Sequence, residues 1–279
     1  MKDLSALAGI PVKFDPECLH IAFGPEVRDP LYGTRSADQM RRVLLDPDCA
    51  LPEVIYWMLR DLGLKSLPDF KQTAHLRYDI SVFRGCPFGR EFMKTSGHYH
   101  PYKPHSGTAW PEVYEVLEGT ALYLLQKVND ISLGPCEVEV LDAIIVEGRP
   151  GDKVIMPPEY GHVTINAHPE ALVMDNWVSS DFGSVYGKVE EARGFAYYYL
   201  HGDGSPRWVR NPLYRKPLPP LRRAVVKQVP ELGLVECTPM FISCARDPGR
   251  FQWLNNPEVH ADLIWKGLEI VGEVEVAPE

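Results

Sequence analysis

A chain of 279 residues, 45% hydrophobic and 24% charged, has room for one large soluble domain or a core domain with appendages. Its net charge of −9 argues against nucleic acid or an anionic membrane as partner, because either selects for excess Lys and Arg, yet a local pocket can still take an anionic metabolite. The six scattered cysteines (18, 49, 86, 136, 237 and 244) read as reduced thiols; with no signal-peptide core after Met1 and no apolar run near the ~20 residues of a membrane span, the expectation is a cytoplasmic protein.

Residues 1–73 mix a strand-like opening with helical patches and form the expected N-terminal arm. Ser36 and Gln39 have the spacing of a capping box that opens a helix over Ala37 to Leu45. Pro47 and Pro52 interrupt it. Val54, Ile55, Met58, Leu59 and Leu62 then fall at helical spacing and predict an amphipathic helix over Leu51 to Leu62, packed on something larger.

The texture changes near Ala74. Short runs of β-branched and aromatic residues, punctuated by Gly, Pro and Asp, predict strands at Tyr78 to Arg84, Glu91 to His100, Val113 to Val128 (two strands, broken at Glu118-Gly119), Glu137 to Glu147, Lys153 to Met156, His162 to Asn166 and Ala171 to Val178. Gly194 to Leu200 adds one more. Such a series predicts a mainly β barrel or sandwich over residues 74–200, since closing the sheet removes exposed edges and can enclose a ligand. Beyond it, residues 201–279 form a C-terminal extension. Pro206 to Arg223, Pro-rich and basic, reads as a solvated connector or an interface rather than a polyanion site, because no glycine-rich phosphate loop accompanies it; strand-like runs at Ala224 to Val229 and Leu268 to Val276 flank a short helix over Pro257 to Trp265.

The chemistry concentrates at Lys94-Thr95-Ser96-Gly97-His98-Tyr99-His100. Side chains alternate faces along a strand, so His98 and His100 point the same way and Tyr99 points away. Paired strands can add the Glu112 carboxylate and the His162 ring. Three nitrogens and one oxygen suit a divalent transition metal with open positions better than calcium or magnesium. A metal-free cavity lined by the same four residues is the structural alternative.

The HxH pair with Glu112 and Gly119, followed by Gly151, Pro157, His162 and Asn166, resembles the two motifs of the cupin superfamily. More narrowly, Thr95-Ser96-Gly97-His98-Tyr99-His100, Glu112-Val113-Tyr114 with Leu117 and Gly119, Pro157-Pro158 before His162, and Tyr186-Gly187 with Gly194-Phe195 resemble the cupin-type glucose-6-phosphate isomerases known mainly from archaea. The likeness covers about residues 74–200. It implies a double-stranded β-helix (a jelly-roll-like barrel), a homodimer, and His98, His100, Glu112 and His162 as ligands of one divalent ion, iron(II) first, with manganese, nickel or zinc as options. It also implies a phosphate subsite of Ser81, Thr95, the Gly97 N–H and Tyr186. The sequence departs from the family in a longer His100-to-Glu112 gap, which inserts a loop with His105, in Glu159-Tyr160 before His162, and in the long stretch from Gly119 to Gly151. These changes lie outside the ligand set and bear on the fit of the sugar.

Interconversion of glucose 6-phosphate and fructose 6-phosphate moves one hydrogen between C1 and C2 without a redox cofactor. Either a base, for which Glu112 is the candidate, carries a proton through a cis-enediol, or hydride passes directly between the carbons. Tyr114, two residues along the same strand face, can hydrogen-bond the reacting oxygens. Lys94 and Lys153 are candidate charge partners for the phosphate, and His105 reads as an exposed loop residue. Rival readings are an isomerase of another phosphorylated sugar, a non-haem iron dioxygenase, and a non-catalytic sugar-binding cupin.

Overall fold

The computed structural model describes residues 1–202 and 204–277. Two six-stranded sheets dominate it. In the first, the strand order is Leu268–Glu273, Leu221–Val226, Val140–Gly148, Ala121–Val128, Tyr160–Asn166, Met93–Lys94; in the second it is Lys153–Met156, Glu112–Glu118, Leu172–Ser179, Leu76–Phe83, Val54–Arg60, Leu31–Ser36. Neighbouring strands run antiparallel except Val140–Gly148 beside Leu221–Val226. Inward residues of both sheets, among them Val116, Tyr123, Leu125, Ile144 and Met156, share one hydrophobic core. The result is a mainly β, cupin-like barrel. Strands from before residue 74 and after residue 200 complete its sheets.

The strand ladder follows the expected series. The break at Glu118-Gly119 is a hairpin turn between Glu112–Glu118 and Ala121–Val128, with Gly119 at φ +83°. A side chain there would meet the Ala171 carbonyl at 2.8 Å, so the turn requires glycine.

Four expectations need correction. Residues 54–60 form a strand, not a helix. Tyr56, Met58 and Arg60 turn to the barrel cavity while Ile80 and Leu59 pack behind the sheet. A strand buried on both faces is apolar throughout, so some of its residues fall at helical spacing by chance; the β-branched and aromatic run Val54-Ile55-Tyr56-Trp57 is the better guide. Second, the capping box at Ser36 and Gln39 is present, but the helix it opens ends at Arg41. Third, regular pairing over 91–100 is confined to Met93–Lys94, after which Gly97, at φ +70°, redirects the chain before His98 pairs with His162. Fourth, the supposed connector contains a strand at Gly204–Arg210, paired with Tyr197–Gly202 and Val276–Ala277. Its basic residues masked a strand anchored by buried Trp208 and Val209.

A second core lies behind the second sheet. There Tyr78 and Trp177, on adjacent strands, pack against Phe70 and against Phe241 and Phe251 of the C-terminal extension, alongside Ile10, Val12 and Phe14 from the N-terminal segment. Both terminal segments therefore brace the sheet that carries Glu112. The expected helix over 257–265 appears as a 3₁₀ turn, Pro257–Val259, followed by the helix Ala261–Trp265. All six cysteines are unpaired, and no described helix is long and apolar enough to cross a membrane.

Candidate metal centre

His98 and His162 are brought side by side by backbone pairing. The His98 N–H donates to the His162 carbonyl at 3.2 Å, and the His162 N–H returns the bond at 3.0 Å. Their ring centroids are 4.4 Å apart. His100 follows on the same face, its Nε2 3.1 Å from that of His98. From the opposite sheet, Glu112 Oε2 reaches His100 Nε2 at 3.4 Å and His162 Nε2 at 3.2 Å. The four donor atoms lie within 4.8 Å of one another.

The protonation pattern fits a cation. His100 Nδ1 lies 2.8 Å from the Trp110 carbonyl, so a neutral ring donates there and presents only a lone pair at Nε2. That lone pair faces another imidazole nitrogen and a carboxylate oxygen. Burial, reinforced by the neighbouring imidazoles, holds His98 well below the ordinary histidine range; burial also lowers His162. Burial works against the Glu112 charge, but the contacts with His100 and His162 outweigh it and hold this carboxyl well below the ordinary range. Neutral imidazoles and an ionised carboxylate are the forms that bind metal. Three nitrogens and one oxygen converging on one point, with the His100 lone pair turned toward the other donors, suit a divalent transition ion.

Around the cluster is a cavity of about 340 Å³ between the sheets. Tyr114 enters it from the Glu112 strand, its hydroxyl 3.3 Å from His162 Nε2. Ser81, Thr95, Gly97 and Tyr186 line the same cavity. The Tyr186 ring lies 5.3 Å from that of His98. Thr95 Oγ1 accepts the Thr164 N–H at 3.0 Å, which leaves its own O–H free to donate. Among the described residues, the Gly97 N–H has no protein acceptor.

The lysines expected as phosphate partners are elsewhere. Lys153 pairs with Glu115 at 2.8 Å, because residue 115 faces away from 112 and 114 on the same strand. Lys94 is buried against Glu91 at 2.5 Å and under the Tyr198 ring at 4.8 Å. His105 is exposed in its loop, at φ +62°.

Two kinds of lining residue escaped the sequence reading. Asn176 donates its side-chain N–H to Glu112 Oε1 at 2.7 Å. Its only sequence signal is the polar pair Asp175-Asn176 inside the otherwise apolar run Leu172 to Val178. Arg35, Arg60 and Arg77 enter from three strands, two of them in the stretch read as an arm.

Residues 37–215 match the family model described as glucose-6-phosphate isomerase (GPI). Among curated proteins, the chain is 31% identical over 145 residues to the glucose-6-phosphate isomerase of Pyrococcus abyssi and 30% identical over 146 residues to that of Pyrococcus furiosus; each alignment covers 52% of this chain and 68% of the relative. Among solved structures, similarity extends to an oxalate oxidase (15% identity, TM-score 0.31, 47% of this chain and 55% of that one) and to Bacillus subtilis oxalate decarboxylase (11% identity, TM-score 0.31, 48% and 28%). The chain thus spans about half of the oxalate oxidase.

Proposed function

The chain belongs to the glucose-6-phosphate isomerase family, and from that premise we propose that its cavity interconverts glucose 6-phosphate and fructose 6-phosphate at one divalent metal ion. The observation that carries this reading is the convergence of His98, His100, Glu112 and His162 beside the Tyr114 hydroxyl in one cavity.

When bound, the ion supplies Lewis-acid polarisation of the oxygens at C1 and C2; iron(II) is the first choice, and manganese(II), nickel(II) and zinc(II) accept the same donors. Glu112, kept ionised, takes the proton from C2 of the aldose and returns it to C1. The hydroxyl proton moves from O2 to O1 in the same cycle, so atoms and electrons balance without an external oxidant or reductant. Tyr114 donates its O–H to the reacting oxygens and steadies that transfer. At the other end, the hydroxyls of Ser81, Thr95 and Tyr186 and the Gly97 N–H receive the phosphate.

The unpaired thiols and acidic surface support a cytoplasmic setting. For the homodimer implied by the family likeness, the Leu31–Ser36 strand is an available edge: it ends its sheet and exposes Leu31 and Tyr32. The test of function is incubation of the metal-loaded protein with fructose 6-phosphate, with glucose 6-phosphate read through its coupled oxidation. Turnover is expected without dioxygen consumption. No conversion, together with oxygen uptake on small organic substrates, would overturn the assignment in favour of a dioxygenase.

A further inference from the structure

A phosphate dianion enclosed between two sheets calls for a cation, and the cavity holds three. Arg77 is engaged, its Nε 3.0 and 2.9 Å from the two oxygens of Asp79. Arg60 turns toward Met58, with 3.1 Å from its guanidinium to the sulfur, and lies in the field of the same Asp79.

Arg35 differs from both. It is half-buried, and among the described residues no carboxylate lies within 4.0 Å of it. Its Nε donates to the Tyr56 hydroxyl at 3.0 Å, and its guanidinium lies 5.1 Å over the Tyr186 ring and 5.8 Å over the Tyr56 ring. One edge of the guanidinium is thereby fixed and one face is stacked; the Tyr186 hydroxyl is its other polar neighbour, and among the described residues no acceptor lies within 3.5 Å of the terminal Nη atoms in hydrogen-bonding geometry.

We propose that Arg35 is the charged member of the phosphate subsite, its two Nη groups forking onto phosphoryl oxygens beside the Tyr186 hydroxyl. The inference rests on the sugar-phosphate reading and deepens it by naming a residue outside the matched stretch 37–215. The geometry suits the substrate. From the His98 ring to Tyr186 is 5.3 Å and from Tyr186 to the Arg35 guanidinium 5.1 Å, so the metal ligands and the cation stand apart by no more than an extended sugar phosphate can bridge. A planar fork is matched to phosphate geometry in a way an ammonium is not.

The test compares the parent protein with Arg35→Gln, which keeps a donor for Tyr56 without the charge, and Arg35→Lys, which keeps the charge without the fork. Inorganic phosphate is titrated calorimetrically into each, and KM and kcat are measured with fructose 6-phosphate. For Arg35→Gln the phosphate Kd and the KM are expected to rise about ten- to a hundredfold, with bound metal unchanged and kcat moving less than KM; Arg35→Lys recovers part of the loss. A phosphate Kd within about twofold of the parent in Arg35→Gln would overturn the proposal. So would equal weakening in both variants with a lowered melting temperature, the mark of a packing role. Arg35-dependent phosphate binding in a protein that fails to convert fructose 6-phosphate would uphold this anion site and remove the isomerase reading instead.

Discussion

Asn176 Nδ2 donates to Glu112 Oε1 at 2.7 Å, so that Oε2 of the same carboxylate is the oxygen turned toward His100 and His162. A partner that orients a ligating carboxylate contributes to metal affinity without touching the metal. Asn176→Ala is therefore expected to weaken metal binding by about ten- to a hundredfold. Competition against a chelator of known affinity measures this, and near-parental melting of the metal-free protein separates it from misfolding.

Replacing the carboxylate itself acts on chemistry as well as binding. Glu112→Gln is expected to lower kcat by about 10²- to 10⁴-fold, the range of a lost general base. The amide still accepts a hydrogen bond from Asn176 and preserves volume, so circular dichroism should be unchanged. Tyr114→Phe removes one hydroxyl next to His162 and should cost about tenfold in kcat with little change in bound metal. Steady-state kinetics at saturating metal distinguishes the two.

The site should keep its metal to lower pH than an ordinary histidine cluster. Protons compete with metal for the imidazoles, and burial sets the His98 and His162 pKa values below the usual 6.5. Competition therefore begins only at more acid pH. Metal retained after dialysis across a pH series is expected to stay constant through pH 6.5 and fall below it. Release that begins above pH 7 would contradict the assigned protonation states.

Behind the site sheet, Glu115 is fixed by Lys153 at 2.8 Å and by the backbone N–H of Met240 at 2.7 Å, which ties the C-terminal extension to the barrel. Burial pushes the Glu115 carboxyl up to about 7, against the attraction of Lys153. Because this folded value exceeds the unfolded one of about 4.5, Glu115 contributes stability that is full below pH 4.5 and is lost as pH rises through 7. Lys153→Met strands the carboxylate and should destabilise the protein by about 3–5 kcal/mol. The deficit in melting temperature should be larger at pH 8 than at pH 5.5, where the carboxyl can take up a proton.

Much of this was written locally in the chain. The alternation of His98 and His100, the hairpin glycine at 119 and the β-rich runs after residue 74 depend on near neighbours, and the strands follow them. The residues that finish the site depend on distant ones. Asn176 acquires meaning only because the Leu172–Ser179 strand pairs with Glu112–Glu118, and Arg35 only because the Leu31–Ser36 strand extends that same sheet. Lys94 and Lys153 looked available as cations because their partners, Glu91 and Glu115, were not recognisable as buried. The helix predicted over 51–62 failed for a related reason: burial on both faces removes the polar–apolar alternation that marks a strand.

The most direct test of the account strips the protein with a chelator, measures conversion of fructose 6-phosphate, and repeats the assay after adding back single divalent ions. The account predicts that activity disappears with the metal and returns at about one ion per chain. It also predicts that His98→Ala neither binds that ion nor regains activity. Full-rate isomerisation by the stripped protein would contradict it.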